Sequence, residues 1–197
     1  MSIEFGPEQI TALALGIALS ACCGFRVFVP LLAASIGVKA GIFPVPEGML
    51  WLGSWLSIII FTTAAVIEII AYYVPFLDNL LDTIAAPMAI IAGALLTSSV
   101  IPFTDEPAIR WGLGIIAGGS AAGTLHLGTG FVRILSSKFT AGTGNAVVAT
   151  GENVAVAGGV AMSFIVPVFC ALMFSGLVII ILYLAYRKLT KKKRMQV

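Results

Sequence analysis

Charged residues are scarce in this chain. Only 10% of its 197 residues are charged and 59% are hydrophobic, whereas a soluble domain carries about 25% charged residues. The mean hydropathy is +1.08, and several apolar runs reach the roughly 20 residues that cross a hydrocarbon core. This composition excludes an ordinary water-soluble domain and predicts an integral membrane protein.

Residues that bind metals or form disulfides are also few. The chain has one histidine and three cysteines, which are Cys22, Cys23 and Cys170, without a CxxC motif. Zinc sites need three or four such ligands, so we predict no metal and no cofactor. The sequence also lacks a clustered catalytic constellation, and we predict that the protein is not an enzyme. A lipid-modifying enzyme remains a third alternative, in which Asp78, Asp82 and Glu68 would converge on a divalent ion.

Basic residues are rare outside the C-terminal tail. Six of the 11 lie at positions 187, 188 and 191–194. Because such a cluster after an apolar helix marks the cytoplasmic side, we predict that the tail, residues 187–197, is cytoplasmic. Contact with anionic membrane lipid accounts for its charge, so nucleic-acid binding is not predicted. No basic region precedes the first apolar run, so no cleavable secretory signal is predicted.

Five long apolar segments predict an all-α, polytopic transmembrane bundle with about five crossings and a single domain spanning residues 1–197. The segments are about 7–38, 50–73, 75–100, 107–136 and 153–188. The first is too long for one straight crossing, and Gly24 and Pro30 predict a broken or re-entrant path. Four crossings plus re-entrant hairpins is the alternative. Five crossings would place Lys39 and Arg110 inside and Lys138 outside.

A short pattern occurs twice. Residues 15–17, Leu-Gly-Ile, precede the small residues 20–24, and the same order returns 98 positions later at 113–115 and 118–122. Three predicted crossings separate the copies, which would make them antiparallel. The halves 7–101 and 107–188 would then form an inverted repeat, an arrangement common in transporters. The alternative is a chance match, since apolar sequences use few residue types.

Glycines are concentrated in the fourth segment. They form two GxxxG spacings, Gly114/Gly118 and Gly119/Gly123. Small residues at this spacing let helix backbones approach closely in lipid. A partly unwound helix that lines a solute site is the second interpretation.

Three ionisable residues are predicted at membrane depth. Glu68 has apolar neighbours on both sides, and Arg26 and His126 each follow one of the two small-residue runs. A lone charge there costs about 3 kcal/mol on insertion scales. We predict that Arg26 pairs with Glu68, and that His126 exchanges a proton nearby. The alternative is that these are satisfied packing residues.

Further polar candidates lie outside the apolar runs. Asn145 and Glu152 are predicted near the mouth of a solute pathway, within a re-entrant or interfacial loop. Either Glu152 or Asn153 would cap the last helix. Asp78 and Asp82 follow Pro75 and are predicted at the membrane interface.

Several motifs resemble a widespread, uncharacterised bacterial membrane family of unknown function. Residues 24–32, GFRVFVPLL, are similar to its G-[LF]-N-P-Y-L-P-L-L opening, and residues 144–152 to its S-N-P-V-V-S-L-L-E-D segment. Glu68, followed by residues 75–78 and Asp82, is similar to its glutamate, PGxD and downstream aspartate. Arg26 and Val27 replace an Asn-Pro pair, a neutral amide becoming a cation. The resemblance implies a bacterial inner-membrane location and no substrate.

These observations predict a small inverted-repeat transporter or channel for an unidentified solute or ion. Its polar site would lie between the first and fourth segments, and the protein would be a homodimer. The alternative is a structural, assembly or lipid-binding subunit without transport activity, in which the glycine-rich segment contacts other membrane subunits and the basic tail serves for docking.

Overall fold

The computed structural model describes residues 6–42, 44–101, 104, 106–140 and 142–194. The protein is all-α, as predicted, and no strand occurs among these residues. Its helices are α1 (Pro7–Cys22), α2 (Phe28–Lys39), α3 (Trp55–Ala71), α4 (Pro75–Val100), α5 (Pro107–Gly114), α6 (Ser120–Thr140), α7 (Asn145–Ile165) and α8 (Pro167–Arg194). A 3₁₀ helix at Glu47–Gly53 precedes α3, and a π-helical turn at Ile115–Gly119 joins α5 to α6.

Four helical spans are long and apolar enough to cross a membrane, namely α4, the continuous α5–α6, α7 and α8. The 3₁₀ helix and α3, bent by 57° relative to each other, form a fifth span when counted as one. The chain is therefore a multi-pass helical bundle with four or five crossings, which agrees with the predicted number.

The first predicted segment is a hairpin and not a crossing. Helices α1 and α2 are separated by the turn at residues 23–27. At that turn Glu68, near the end of α3, binds the Val27 and Phe28 amides. The other end of α2 returns to the start of α3, where Ser35 donates to the Leu52 carbonyl. Helix α1 runs antiparallel to α4 and helix α2 runs antiparallel to α3, so the α1–α2 pair enters and leaves on the same side.

The last predicted segment is two helices. Helix α7 ends at Ile165, and Pro167 begins α8 after a single non-helical residue, Val166. The chain reverses there, because Gly159 of α7 packs against Phe174 of α8. Helix α7 also begins at Asn145, so the predicted loop before residue 153 is helical. The α1–α2 hairpin removes one predicted crossing, and the division of the last segment into α7 and α8 adds one. The predicted number of crossings is therefore unchanged.

The two copies of the repeat run in the same direction, so the predicted inverted repeat is wrong. In α1, Gly16 lies against Thr97 and Val100, and Ser20 binds Gly93. In the second copy, Gly114 lies against Ala94 and Ser98, and Gly118 against Gly93 and Thr97. Both copies are thus antiparallel to α4. The physical reason is the turn at residues 23–27, which adds one passage of the chain that the sequence-based count did not include.

The bundle has two distinct ends. We call the end where α3 and α6 finish and α4 and α7 begin the charged end, and the other the opposite end. Helix α8 finishes at the charged end, because the Lys188 ammonium lies 4.6 Å from the centre of the Phe131 ring on α6. Lys138 is also there, whereas Lys39 and Arg110 are at the opposite end. The predicted placement of these residues relative to the tail is therefore wrong.

Candidate functional site

The charged end contains a group of buried ionic side chains at similar depths. Asp82 and Glu152 each lie seven residues after the start of α4 and α7, and Arg133 lies seven residues before the end of α6. Seven helical residues rise about 10 Å. Arg26 reaches the same level from the hairpin turn. Four separate elements therefore place charges in one layer, which we call the charged cluster.

The centre of the charged cluster is the carboxylate of Glu152, which binds two arginines. Arg26 Nη1 donates to its Oε2 at 2.7 Å, and Arg133 Nε donates to its Oε1 at 3.1 Å. Arg133 Nη2 also donates to Oε2. The exposed fractions of Arg26, Arg133 and Glu152 are 1%, 3% and 5%. At such depth the two guanidinium charges are tolerated only because the Glu152 carboxylate compensates them, and they in turn compensate it.

Arg26 has partners for all three of its guanidinium nitrogens. Its Nε donates to Asn153 Oδ1 at 2.9 Å, its Nη1 also to the Phe25 carbonyl at 3.0 Å, and its Nη2 to the Ala149 carbonyl at 3.3 Å. Two of these acceptors and Glu152 belong to α7. The turn of the α1–α2 hairpin is therefore fixed to α7 through one side chain.

Tyr72 and Asp82 complete the charged cluster. The guanidinium carbons of Arg26 and Arg133 lie 3.9 and 4.1 Å from the centre of the Tyr72 ring, within cation–π range. Asp82 Oδ1 lies 3.4 Å from Arg133 Nη1. The side chain of Asp82 is 26% exposed, in contrast to Glu152. The charged cluster thus meets the surface at Asp82.

Glu68 stabilises the start of α2. Its Oε1 accepts from the Val27 amide at 2.8 Å and its Oε2 from the Phe28 amide at 3.1 Å. These are among the first amides of the helix, which have no intrahelical partner, and a carboxylate there also interacts favourably with the helix dipole. The predicted Arg26–Glu68 ion pair is therefore wrong, because Arg26 pairs with Glu152. Both side chains nevertheless hold the same turn.

His126 and Asn145 lie at the edges of this region. His126 is buried, and its Nε2 is 3.3 Å from the carbonyl oxygen of Asp82. Asn145, the first residue of α7, exchanges hydrogen bonds with Ser137 of α6 and so fixes the turn between those helices. Glu152 lies within α7 and not at a helix start, so the predicted capping role is wrong. The side chain of Asp78 lies outside the described residues.

The candidate helix breaks differ in their roles. Gly24 is in the hairpin turn, and a Cβ there would lie 2.5 Å from Leu125 Cβ. Pro30 is in the first turn of α2, where proline is tolerated because its missing amide has no partner, so it does not break the helix. Gly119 and Gly123 pack against Ile90. With Gly114 and Gly118 against α4, all four glycines of the GxxxG pairs serve packing within the chain.

The site residues predicted from the sequence did not include Arg133. It lies in the sequence Phe-Val-Arg-Ile-Leu at 131–135, and a charge between apolar neighbours is the same signal that identified Glu68. Tyr72 was not among the predicted site residues either, although its side chain is only 3% exposed. No sequence pattern indicates that its ring contacts two arginines, since that depends on how three helices meet.

The opposite end carries a separate cleft. It has a volume of about 660 Å³ and is lined in part by Glu47, Trp51, Arg110 and Trp111. Both tryptophans are exposed, as in the aromatic belts at membrane interfaces. This cleft and the charged cluster share no residue. Among the residues that the structure describes, no three His, Cys, Asp or Glu side chains are grouped as metal ligands.

Comparison with known proteins identifies a family. No curated protein and no solved structure matches the chain. The model of a family described as a domain of unknown function, DUF4126, matches residues 13–187. That range contains most of the hairpin, the charged cluster and most of α8, and it confirms the predicted relation to an uncharacterised family. The chain belongs to the DUF4126 family.

Proposed function

We propose that this protein is a small membrane transporter or channel for a small solute, and that the charged cluster forms part of the solute pathway. The observation that carries the proposal is the α1–α2 hairpin, whose turn presents Arg26 to Glu152. Non-helical backbone at membrane depth is tolerated where it is buried in protein or lines a cavity, and it is frequent at solute sites.

The ion-pair geometry supports a pathway over simple packing. Buried ionic groups stabilise a fold weakly, and well-packed apolar residues often replace them without loss. Here two arginines and two carboxylates lie at one level, and one carboxylate, Asp82, is accessible. Charges inside a membrane segment usually mark a route for solutes or ions. We propose no enzymatic activity.

The charge distribution supports a cytoplasmic location for the charged end. Lys138, Arg187 and Lys188 are at that end and are followed by the basic residues 191–194, whereas the opposite end has Lys39 and Arg110 together with the acidic Glu47 and Glu106. Under the positive-inside rule the tail and the charged cluster face the cytoplasm. In a bacterium this would be the inner membrane.

Swelling of liposomes tests the transport proposal for neutral, cationic and anionic solutes in turn. Liposomes with and without the protein are shocked with glycine, sorbitol, choline chloride or potassium phosphate, the last with valinomycin, and light scattering follows volume recovery. Recovery faster than in empty liposomes for at least one solute is expected. Loss of that recovery in Glu152→Gln or Glu68→Gln, but not in Glu47→Gln at the opposite end, would support the pathway. No acceleration for any class would contradict transport.

A second candidate function, assembly with another membrane subunit or a second copy, is favoured by α8. Only 11% of its membrane window is buried, and Gly176 has open space around it. A glycine on an exposed helix face permits close helix approach. Mass measurement in mild detergent tests this: an oligomer that dissociates in Gly176→Leu supports it, and a monomeric wild type contradicts it.

A further inference from the structure

We infer that the cleft at the opposite end binds one zwitterionic phospholipid, with its phosphate at Arg110 and its ammonium at Glu47. The cleft shares no residue with the charged cluster, so this inference does not depend on the proposed transport. Its volume of about 660 Å³ lies within the usual range of ligand pockets. The depth of the cleft, its two opposite charges and its tryptophans favour such a lipid.

The cleft extends across the boundary between the lipid headgroups and the hydrocarbon core. Its lining includes Glu47 and Trp51 of the 3₁₀ helix that precedes α3, and Pro107 at the start of α5. It also includes Leu95, which lies five residues before the end of α4 within an apolar span. Five helical residues rise about 7.5 Å. An occupant therefore contacts polar groups at the membrane surface and apolar groups below it, as a lipid does.

Arg110 is held in a position that suits a phosphate group. Its Nη2 donates to the Thr104 carbonyl at 2.6 Å, and its own carbonyl accepts from Ser98 Oγ of α4 at 3.3 Å. The residue is thus fixed to two neighbouring segments before a ligand binds. A guanidinium has five N–H donors in a planar fork that matches phosphate oxygens. Phosphate binding requires only that Arg110 share these donors between the protein and the lipid.

Glu47 places a negative charge in the same cleft. It is the first residue of the 3₁₀ helix, and it is exposed. A carboxylate accepts strong hydrogen bonds from a primary ammonium group, whereas it repels an anionic headgroup. A phosphoethanolamine headgroup carries both a phosphate and an ammonium. It therefore offers a partner of opposite charge to Arg110 and to Glu47 at once.

The two tryptophans of the cleft fit the same headgroup. Trp51 and Trp111 are 48% and 39% exposed, and both line the cleft. Indole rings are enriched at the level of the headgroups, and their faces attract ammonium groups. Because these rings form part of the wall, they contact the headgroup of a lipid that enters the cleft.

Native mass spectrometry of the full chain in neutral detergent tests this inference. Dioleoylphosphatidylethanolamine is compared with dioleoylphosphatidylglycerol, which has the same acyl chains and an anionic headgroup. We expect one bound phosphatidylethanolamine per chain, with an affinity about fivefold higher than that of phosphatidylglycerol. Equal or weaker binding of phosphatidylethanolamine overturns the inference. Glycerophosphoethanolamine, which lacks the acyl chains, should bind more weakly, and binding as tight as that of the lipid overturns the assignment to a lipid.

Charge substitutions test the two predicted contacts. Arg110→Gln should weaken phosphatidylethanolamine binding about tenfold, and Glu47→Gln should remove the preference over phosphatidylglycerol. The matched controls are Lys39→Gln and Glu8→Gln, because these charges lie at the same end and do not line the cleft. If Arg110→Gln does not fold, Arg110→Lys should bind several-fold more weakly than the wild type, since it keeps the charge and loses the fork. Unchanged binding in the Arg110 variant, or equal loss in the controls, overturns the inference.

A substitution that fills the cleft gives an independent test. Gly48 lines the cleft, and nothing lies within 4 Å of a Cβ added there, so a larger side chain displaces no packed atom at that point. Gly48→Phe should keep the thermal unfolding midpoint and bind phosphatidylethanolamine several-fold more weakly. Gly112→Phe, at an equally open glycine of α5 that does not line the cleft, should bind like the wild type. Wild-type binding in Gly48→Phe would place the lipid elsewhere and overturn the inference.

Discussion

In the middle of the bundle the helices meet through small, uncharged residues, whereas at the charged end they meet through ionised side chains. At the middle, Ser20 Oγ lies 2.7 Å from the Gly93 carbonyl and 2.8 Å from Thr97 Oγ1, and Gly118 contacts the same two residues. The hydroxyl groups of Ser20 and Thr97 are hydrogen-bonded to each other there, and neither carries a charge. Helix α4 is thus held on two sides by α1 and the π-helical turn.

The charged end uses long side chains and one partly exposed carboxylate. The middle of the bundle is closely packed, because its hydroxyl groups and backbone carbonyls form hydrogen bonds with one another where the helix backbones touch. At the charged end, Glu152 compensates two buried arginines, and Arg133 also faces the partly exposed Asp82. The difference suggests that the middle holds the helices in place and that the charged end carries the solute chemistry.

Removal of the central carboxylate should have the largest effect. Glu152→Gln leaves two buried arginines with reduced compensation, and we expect a loss of about 3–5 kcal/mol in the free energy of unfolding, measured by denaturation in detergent micelles. The double variant Glu152→Gln/Arg133→Gln should be less destabilised than the sum of the single variants, because the residues interact. Additive effects would show that the charged cluster is not a coupled unit.

Substitution in the middle should have a smaller but clear effect. In Gly118→Ala the new methyl group would overlap the Gly93 carbonyl and Thr97, and we expect a cost of about 1–3 kcal/mol. Gly112→Ala is the matched control, since nothing lies within 4 Å of its added Cβ. Thermal unfolding midpoints in detergent measure the stability of both variants. Equal stability of the two variants would contradict the close crossing.

Weakening of the α2 cap should loosen the hairpin. Glu68→Gln keeps one acceptor oxygen for the Val27 and Phe28 amides in place of two, and we expect a cost of about 1–2 kcal/mol. Hydrogen exchange of the peptide that covers residues 23–30 should become faster, while α4 exchanges as before. Thr62→Ala, on the exposed face of α3, is the control. Unchanged exchange at the turn would show that Glu68 does not hold it.

The smallest effect is expected at the rim of the charged end. Tyr73 is exposed, and its hydroxyl lies 3.2 Å from Asn153 Nδ2 and 3.0 Å from Thr150 Oγ1. Tyr73→Phe removes these bonds, and we expect a cost of only about 0.5–1 kcal/mol in the free energy of unfolding, because Asn153 still binds Arg26. A loss of stability as large as that of Glu68→Gln would show that Tyr73 belongs to the charged cluster.

The charged cluster was only partly predictable. Apolar flanking residues identified Glu68 and Arg26 as buried charges, and the same criterion applies to Arg133. Their partners could not be read from the sequence, because Arg26 and Glu152 are 126 positions apart and meet only through the hairpin turn. Glu68 accepts hydrogen bonds from two backbone amides. No spacing of residues in the sequence distinguishes this role from that of an ion-pair partner.

The sequence by itself determined that this is an all-α, multi-pass chain, because hydropathy and length follow directly from residue types. It also indicated a broken or re-entrant path at Gly24 and Pro30, and Gly24 lies in the hairpin turn. Only the tertiary structure decided the path of the chain after that turn, and with it the direction of the two repeated segments. An inverted and a parallel arrangement have the same residues and hydropathy. They differ in long-range contacts, such as that of Ser20 and Gly118 with one face of α4.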